Sequence, residues 1–196
     1  MKRILAAMIA VLFLFPVAAA CQSLETFAQL SEHDVILWNQ DGKQVHLYHD
    51  LLKGKVVAIN SVFTSCTTIC PVLGANFAST TKKLGSHAGK DVTLVSISID
   101  PETDTPEHLK SWSEKFRGGP GWVLLTGNKS DVETALKTLG IFTPDKFDHT
   151  PVILVANDNT KEIKRLSGMV ASDKLAAMMI RMVEGQSSAP EAVAKR

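Results

Sequence analysis

Two cysteines four residues apart stand in the stretch FTSCTTICP, Phe63 to Pro71, with a proline directly after the second. A thiolate attacks disulfides and binds soft metals, and the positive end of a helix dipole stabilises it. The pair therefore has three uses open to it: a structural disulfide, a redox-active dithiol, or part of a metal site. A bridge closing so short a loop adds little stability, because the chain-entropy gain grows with loop length. Residues four apart in a regular helix hold their Cβ atoms about 5 to 6 Å apart, whereas a disulfide needs roughly 3.5 to 4.5 Å. A metal tolerates more separation, so a loop-to-helix junction can hold a metal when reduced and a strained bridge when oxidised.

Two thiolates leave a metal site incomplete. Four-coordinate zinc wants two further ligands, whereas copper(I) is satisfied by soft thiolates and one imidazole. Of the six histidines, His33, His46, His49, His87 and His108 lie in polar or amphipathic surroundings that suit a solvated surface role. His149, in FDHTPVILV, precedes a run that reads as a buried strand, and such loops can converge on the ends of other strands. A histidine simply hydrogen-bonded in a loop fits the same residues equally well.

The elements that must position these groups follow from periodicity and turn chemistry. KVVAINSVF, Lys55 to Phe63, reads as a buried strand ending at the cysteines. Pro71 is tolerated only if the following helix starts near Thr67 or later, which puts Cys66 at or before the cap and Cys70 in the first turn or just outside it. That helix runs to about Leu84, a strand spans Val92 to Ile99, and a helix from Pro106 to about Phe116 has Thr105 as its N-cap. Trp122 to Thr126 reads as a strand, and the next helix carries a capping box of Ser130 and Glu133 with Gly140 as its stop. Pro151 to Ala156 and KEIKRLS form a hairpin around NDNT, and Ser172 opens the last helix. VILWNQDGKQVHLYH gives two strand-like runs around Asp41-Gly42, an N-terminal β-hairpin. The fold class is α/β, a mixed β-sheet flanked by helices on both faces.

A chain of 196 residues with 45% hydrophobic content supports one ordinary domain plus appendages. The formal charge of +1 is spread along the chain, with no polycation to track a phosphate backbone, which argues against nucleic acid as a partner. Residues 1–21 carry the grammar of an export signal: two basic residues, an apolar run from Ile4 to Val17, and small residues before Cys21. Ala18-Ala19-Ala20 suits ordinary cleavage, while small residues before a cysteine also look like a bacterial lipoprotein site. Lipidation is preferred, because a lone free thiol on an exported protein invites unwanted pairing. An uncleaved anchor ranks third, since the apolar run is shorter than the roughly 20 residues of a bilayer span. The expected organisation is a signal at 1–21, a linker at 22–34, the domain at 35–184 and a flexible tail at 185–196.

Three blocks in order resemble the Sco/SenC family of thioredoxin-like, copper-binding assembly factors for cytochrome c oxidase. FTSCTTICP is similar to its CxxxCP motif, SIDPETDTPEHLKSW to its second block and FDHT to its copper-histidine block, and the resemblance spans about Val35 to Val183. It implies a thioredoxin-like sheet and copper, as copper(I) or copper(II), held by Cys66, Cys70 and His149. It implies a metallochaperone that delivers copper to, or prepares the cysteines of, the binuclear copper site of the oxidase. The implied partners are the oxidase copper subunit, a periplasmic thiol reductant and a copper donor. The implied place is the extracytoplasmic face of a bacterial membrane, with membrane contact only through an N-terminal anchor, lipid at Cys21 if processed so. The rival reading is an enzyme, a thiol-disulfide oxidoreductase with Cys66 and Cys70 as its catalytic redox pair, although a dithiol reductant needs no distant imidazole. A peroxiredoxin-type peroxidase would put proline at Ile59 and threonine at Phe63, and has neither. Asp100 matches a recurrent family position and Asp148 adjoins His149; each also fits as a plain loop acid. Pro151 departs from many members and stands where thioredoxins place a cis-proline, so Thr150–Pro151 is expected to be cis.

Overall fold

In the computed structural model, which describes residues 22–148 and 150–185, the first described element is helix α1 (22–32). The sequence reading makes this stretch a linker. Phe27 and Leu30, three apart and therefore on one helical face, are instead both buried in the core, and the Lys161 ammonium lies 4.9 Å from the Phe27 ring. Strands β1 (Ile36–Asn39) and β2 (Gln44–His46) then pair antiparallel around Asp41-Gly42, where Gly42 takes the left-handed φ of 71° that the turn requires. The second arm stops earlier than its composition suggests. Leu47–Leu52 form a π-helical turn because Leu47, Tyr48, Leu51 and Leu52 are all buried together, and the Asp34 carboxylate accepts the N–H groups of Tyr48 and His49 at 2.7 and 3.3 Å.

The remaining strands are β3 (Val56–Val62), β4 (Val92–Ser98), β5 (Trp122–Thr126), β6 (Val152–Asn157) and β7 (Glu162–Ser167). They complete a seven-stranded mixed sheet in the order β2-β1-β5-β4-β3-β6-β7. The helices are α2 (Ile69–Leu84), α3 (Pro106–Glu114), α4 (Lys129–Thr138) and α5 (Ser172–Val183). Strand alternation divides the core: Val57 and Ile59 face α1, the π-helical turn and α4, whereas Val56, Ala58 and Val62 face α2, α3 and α5. Each fully buried side chain of this kind contributes roughly 1.5 to 3 kcal/mol. No described helix is long and apolar enough to cross a membrane.

Other local expectations hold in part. Thr105 caps α3 by accepting the His108 N–H at 3.3 Å, with Pro106 at the first position. Helix α4, however, starts at Lys129 behind an extended Asn128, so Ser130 is already helical and no capping box forms. Glu133 reaches forward to Lys137 at 2.8 Å instead. Thr150–Pro151 is trans, not cis. The Pro151 carbonyl accepts the Gly168 N–H at 3.0 Å, continuing the β6–β7 ladder, and trans is the intrinsically favoured isomer by about 0.5 to 1 kcal/mol. The signal segment 1–21, His149 and the tail from 186 lie outside the described residues.

Strand direction decides where chemistry can gather. β3 and β4 run parallel, Val56 beside Val92 through Val62 beside Ser98, while β6 runs antiparallel to β3. The loops leaving β3 and β4 and the loop entering β6 therefore meet at one end of the sheet. The first carries Cys66, the second Asp100, and the third leads through Lys146–Asp148 to position 149.

Candidate metal centre

The loop after β3 closes with the Cys66 N–H donating to the Phe63 carbonyl at 3.2 Å, and α2 begins three residues later. Cys70 and Pro71 are its second and third residues, where a missing N–H leaves no helical carbonyl unpaired. Cys70 is fully buried against the α2–α5 side of the core, whereas Cys66 is half-buried at the surface. Gly74, one turn further on, lets α2 settle on α3: a Cβ there would lie 2.7 Å from ring atoms of both Trp112 and Phe116.

Both thiols are free, and their surroundings set them apart. The Cys70 N–H donates to Cys66 Sγ at 3.5 Å, and Thr68 Oγ1 lies 3.6 Å from the same sulfur. Burial pushes the Cys66 thiol up, but the Cys70 N–H, the Thr68 hydroxyl and N–H and the Cys70 thiol outweigh it and bring it down to about 7. Burial pushes Cys70 up to about 12; a backbone hydrogen bond at Phe63 opposes this, and the nearby charges of Cys66 and Asp104 add to it. Because the thiolate is the reacting form, iodoacetamide should label Cys66 at a rate that rises with pH and levels off above about 7, while Cys70 stays unlabelled in the native protein. Equal labelling of both, followed by peptide mass spectrometry, would contradict the asymmetry.

Asp104 is a residue that sequence reasoning passed over, although it sits inside the quoted second block. Its carboxylate is completely buried and lies 3.2 Å from the Thr64 N–H at each oxygen; it accepts the Thr64 hydroxyl at 2.5 Å and the Ser98 hydroxyl at 2.6 Å. It thereby ties the segment entering the cysteine loop to the end of β4. Asp100, four residues earlier, pairs with the Lys146 ammonium at 2.6 Å, and this partner raises the Lys146 pKa. Lys146 opens the short turn Lys146–Asp148, whose Phe147 ring meets Phe63 edge to face at 6.3 Å between centroids. Asp148 is exposed, its N–H donated to the Asp145 carbonyl at 3.1 Å.

The structure thus brings Cys66, Cys70 and Asp100 to one end of the sheet together with the segment that precedes His149. The other histidines keep surface roles: His46 and His49 lie 3.3 and 2.6 Å from the Asp34 carboxylate, His87 pairs with Asp91, and His108 Nδ1 is 2.7 Å from the Thr103 carbonyl. Among the described residues no three His, Cys, Asp or Glu side chains form a group suited to a metal ion. His149, the third ligand expected from the sequence, lies outside the described residues.

The family model described as SCO1/SenC matches residues 25–184. The chain belongs to the SCO1/SenC family. It is 36% identical over 130 residues to the SCO1 protein homolog of Bacillus subtilis, a match covering 65% of this chain and 66% of that protein, just under two thirds of the relative's length. Among solved structures, BsSco, a member of the Sco family of cytochrome c oxidase assembly proteins with a disulfide switch, is 29% identical with a TM-score of 0.64, covering 77% of this chain and 92% of that one. Yeast Sco1 with copper bound, 23% identical with a TM-score of 0.64 and covering 80% and 93%, shares the fold. The mixed sheet and flanking helices of this SCO1/SenC chain are accordingly thioredoxin-like.

Proposed function

We propose that this chain binds copper(I) through the thiolates of Cys66 and Cys70 and the imidazole of His149, and serves the binuclear copper site of cytochrome c oxidase by delivering the metal or preparing its cysteines. The observation that carries this reading is the meeting, at one sheet end, of a half-exposed thiol of lowered pKa, a buried partner thiol and the segment leading to His149. Two soft sulfurs with one imidazole suit copper(I), and the pair is too few for closed zinc coordination. Cys66 supplies a thiolate near neutral pH, and Cys70 gives up its proton when a metal takes that proton's place. Membership in the SCO1/SenC family and the likeness to BsSco support a place in oxidase assembly. The proposed partners are the oxidase copper subunit, a thiol reductant and a copper donor outside the cytoplasm, with a lipid at Cys21 as the membrane anchor. An acylated N-terminal Cys21 in membrane-extracted protein supports that anchor, and an unmodified peptide starting there rejects it.

The thiol asymmetry also favours a second reading, thiol-disulfide exchange on partner proteins. The Cys66 thiolate attacks a partner disulfide and releases one partner thiolate; Cys70 then loses its proton and attacks Cys66 Sγ, releasing the second and leaving a Cys66–Cys70 disulfide. An external thiol reductant restores the dithiol. His149→Ala separates the readings. A copper chaperone loses much of its copper affinity and, in copper-limited cells, its support of oxidase assembly, while the purified variant reduces a disulfide substrate at the original rate. X-ray absorption of the loaded parent protein should show sulfur and nitrogen neighbours. Normal oxidase assembly by the variant when copper is scarce would favour exchange over chaperoning.

A further inference from the structure

Three residues before His149, Lys146 makes contacts that a solvated surface lysine does not. Its ammonium lies 2.6 Å from Asp100 Oδ2, and that carboxylate side chain is only 11% exposed. It also stands 5.7 Å from the Phe63 ring centroid and 5.6 Å from that of Phe147, within cation–π reach of both. Phe63 is the last residue before the cysteine loop, and its carbonyl accepts the Cys66 N–H. On the far side, the Asp100 carbonyl accepts the N–H groups of Thr103 and Asp104 at 3.0 and 2.9 Å, so the two acids belong to one closed turn. Asp104 in turn holds Thr64, two residues before Cys66. A single turn after β4 thus grips both neighbouring loops, one acid to each.

We infer that Lys146 is a positioning residue: its ion pair with Asp100 fixes the segment leading to His149 on the same turn whose Asp104 holds the segment leading to Cys66. The inference rests on the three-ligand reading for its consequence in metal binding, and on the geometry alone for its consequence in the loop. Exposed ion pairs between long side chains hold little, because water and side-chain freedom compete with them. This one has a mostly buried carboxylate and two aromatic faces against the cation, so it is built to restrain.

The test compares Lys146→Met with Lys146→Arg in the full chain. In metal-free protein, amide hydrogen exchange at Phe147 and Asp148 should quicken by about tenfold in Lys146→Met and return close to the parent rate in Lys146→Arg. In loaded protein, copper(I) affinity measured by chelator competition should fall about tenfold in Lys146→Met, with sulfur scattering kept and nitrogen scattering weakened. In a His149→Ala background the same change should cost nothing further, because the two act through one imidazole. Unchanged exchange in Lys146→Met overturns the latch outright. Faster exchange with unchanged copper affinity, where His149→Ala does lose copper, overturns its role in the site. If His149→Ala itself keeps full affinity, the three-ligand reading fails, and the exchange result still decides whether Lys146 holds the loop.

Discussion

Cys66→Ser should lose copper(I) affinity by more than about a hundredfold, since a ligand lost outright costs at least as much as the 10- to 100-fold typical of its supporting neighbours. Serine keeps its proton at neutral pH and offers a hard oxygen in place of a soft sulfur. The half-exposed position and near-equal size leave the fold intact, so the melting temperature of the metal-free protein should hardly move. Cys70→Ser is a less clean experiment. That site is fully buried, so exchanging its sulfur for a more strongly hydrated hydroxyl lowers stability before any metal is added. Chelator competition on both variants, beside thermal melts of the metal-free forms, separates ligand loss from unfolding. Full affinity in Cys66→Ser would exclude a two-sulfur site.

Asp104→Ala should destabilise the protein by about 1 to 3 kcal/mol, the range for leaving buried donors without their acceptor. The Ser98 hydroxyl loses its acceptor in a fully buried place, and the part-buried Thr64 N–H and hydroxyl lose theirs as well. Asp104→Asn keeps an acceptor oxygen and should cost less. It also removes a negative charge that raises the Cys70 pKa, so Cys70 should become reactive at lower pH than in the parent. Urea unfolding gives the stability difference, and the pH profile of Cys70 labelling gives the electrostatic one. A loss under 1 kcal/mol in Asp104→Ala would mean that the cysteine loop is held by other means.

The strands around the site were legible because their apolar runs are unbroken and short, as in Val56–Val62 and Val92–Ser98. The start of α2 was legible from Pro71 alone, since a proline fixes how early a helix can begin. Less legible were elements whose pattern is sparse. Helix α1 shows only Phe27 and Leu30 on its buried face, with Leu24 left 56% exposed, so it reads as polar. The π-helical turn at Leu47–Leu52 follows directly on a strand, and a run of Leu, Tyr and His gives no local sign of where the period changes. At the site, Cys66 and Cys70 declare themselves by spacing. Asp104 does not, because its role depends on Thr64, forty residues away, and that contact exists only once β3 and β4 lie parallel. Lys146 is hidden for the same reason, its partner Asp100 being forty-six residues back along the chain.

The two outermost strands of the sheet bear on how copies of this protein meet one another. An open sheet edge offers unpaired backbone groups to any other strand that comes alongside. Here one edge is β2, three residues long and interrupted at once by the π-helical turn, too short to template a partner. The other is β7, which carries Lys164 and Arg165 among Glu162 and Ser167, with the Arg165 guanidinium donating to the Gly140 carbonyl at 2.8 Å. Charge on one border and brevity on the other discourage edge-to-edge stacking, so crowding of this chain should not lead to β-aggregation.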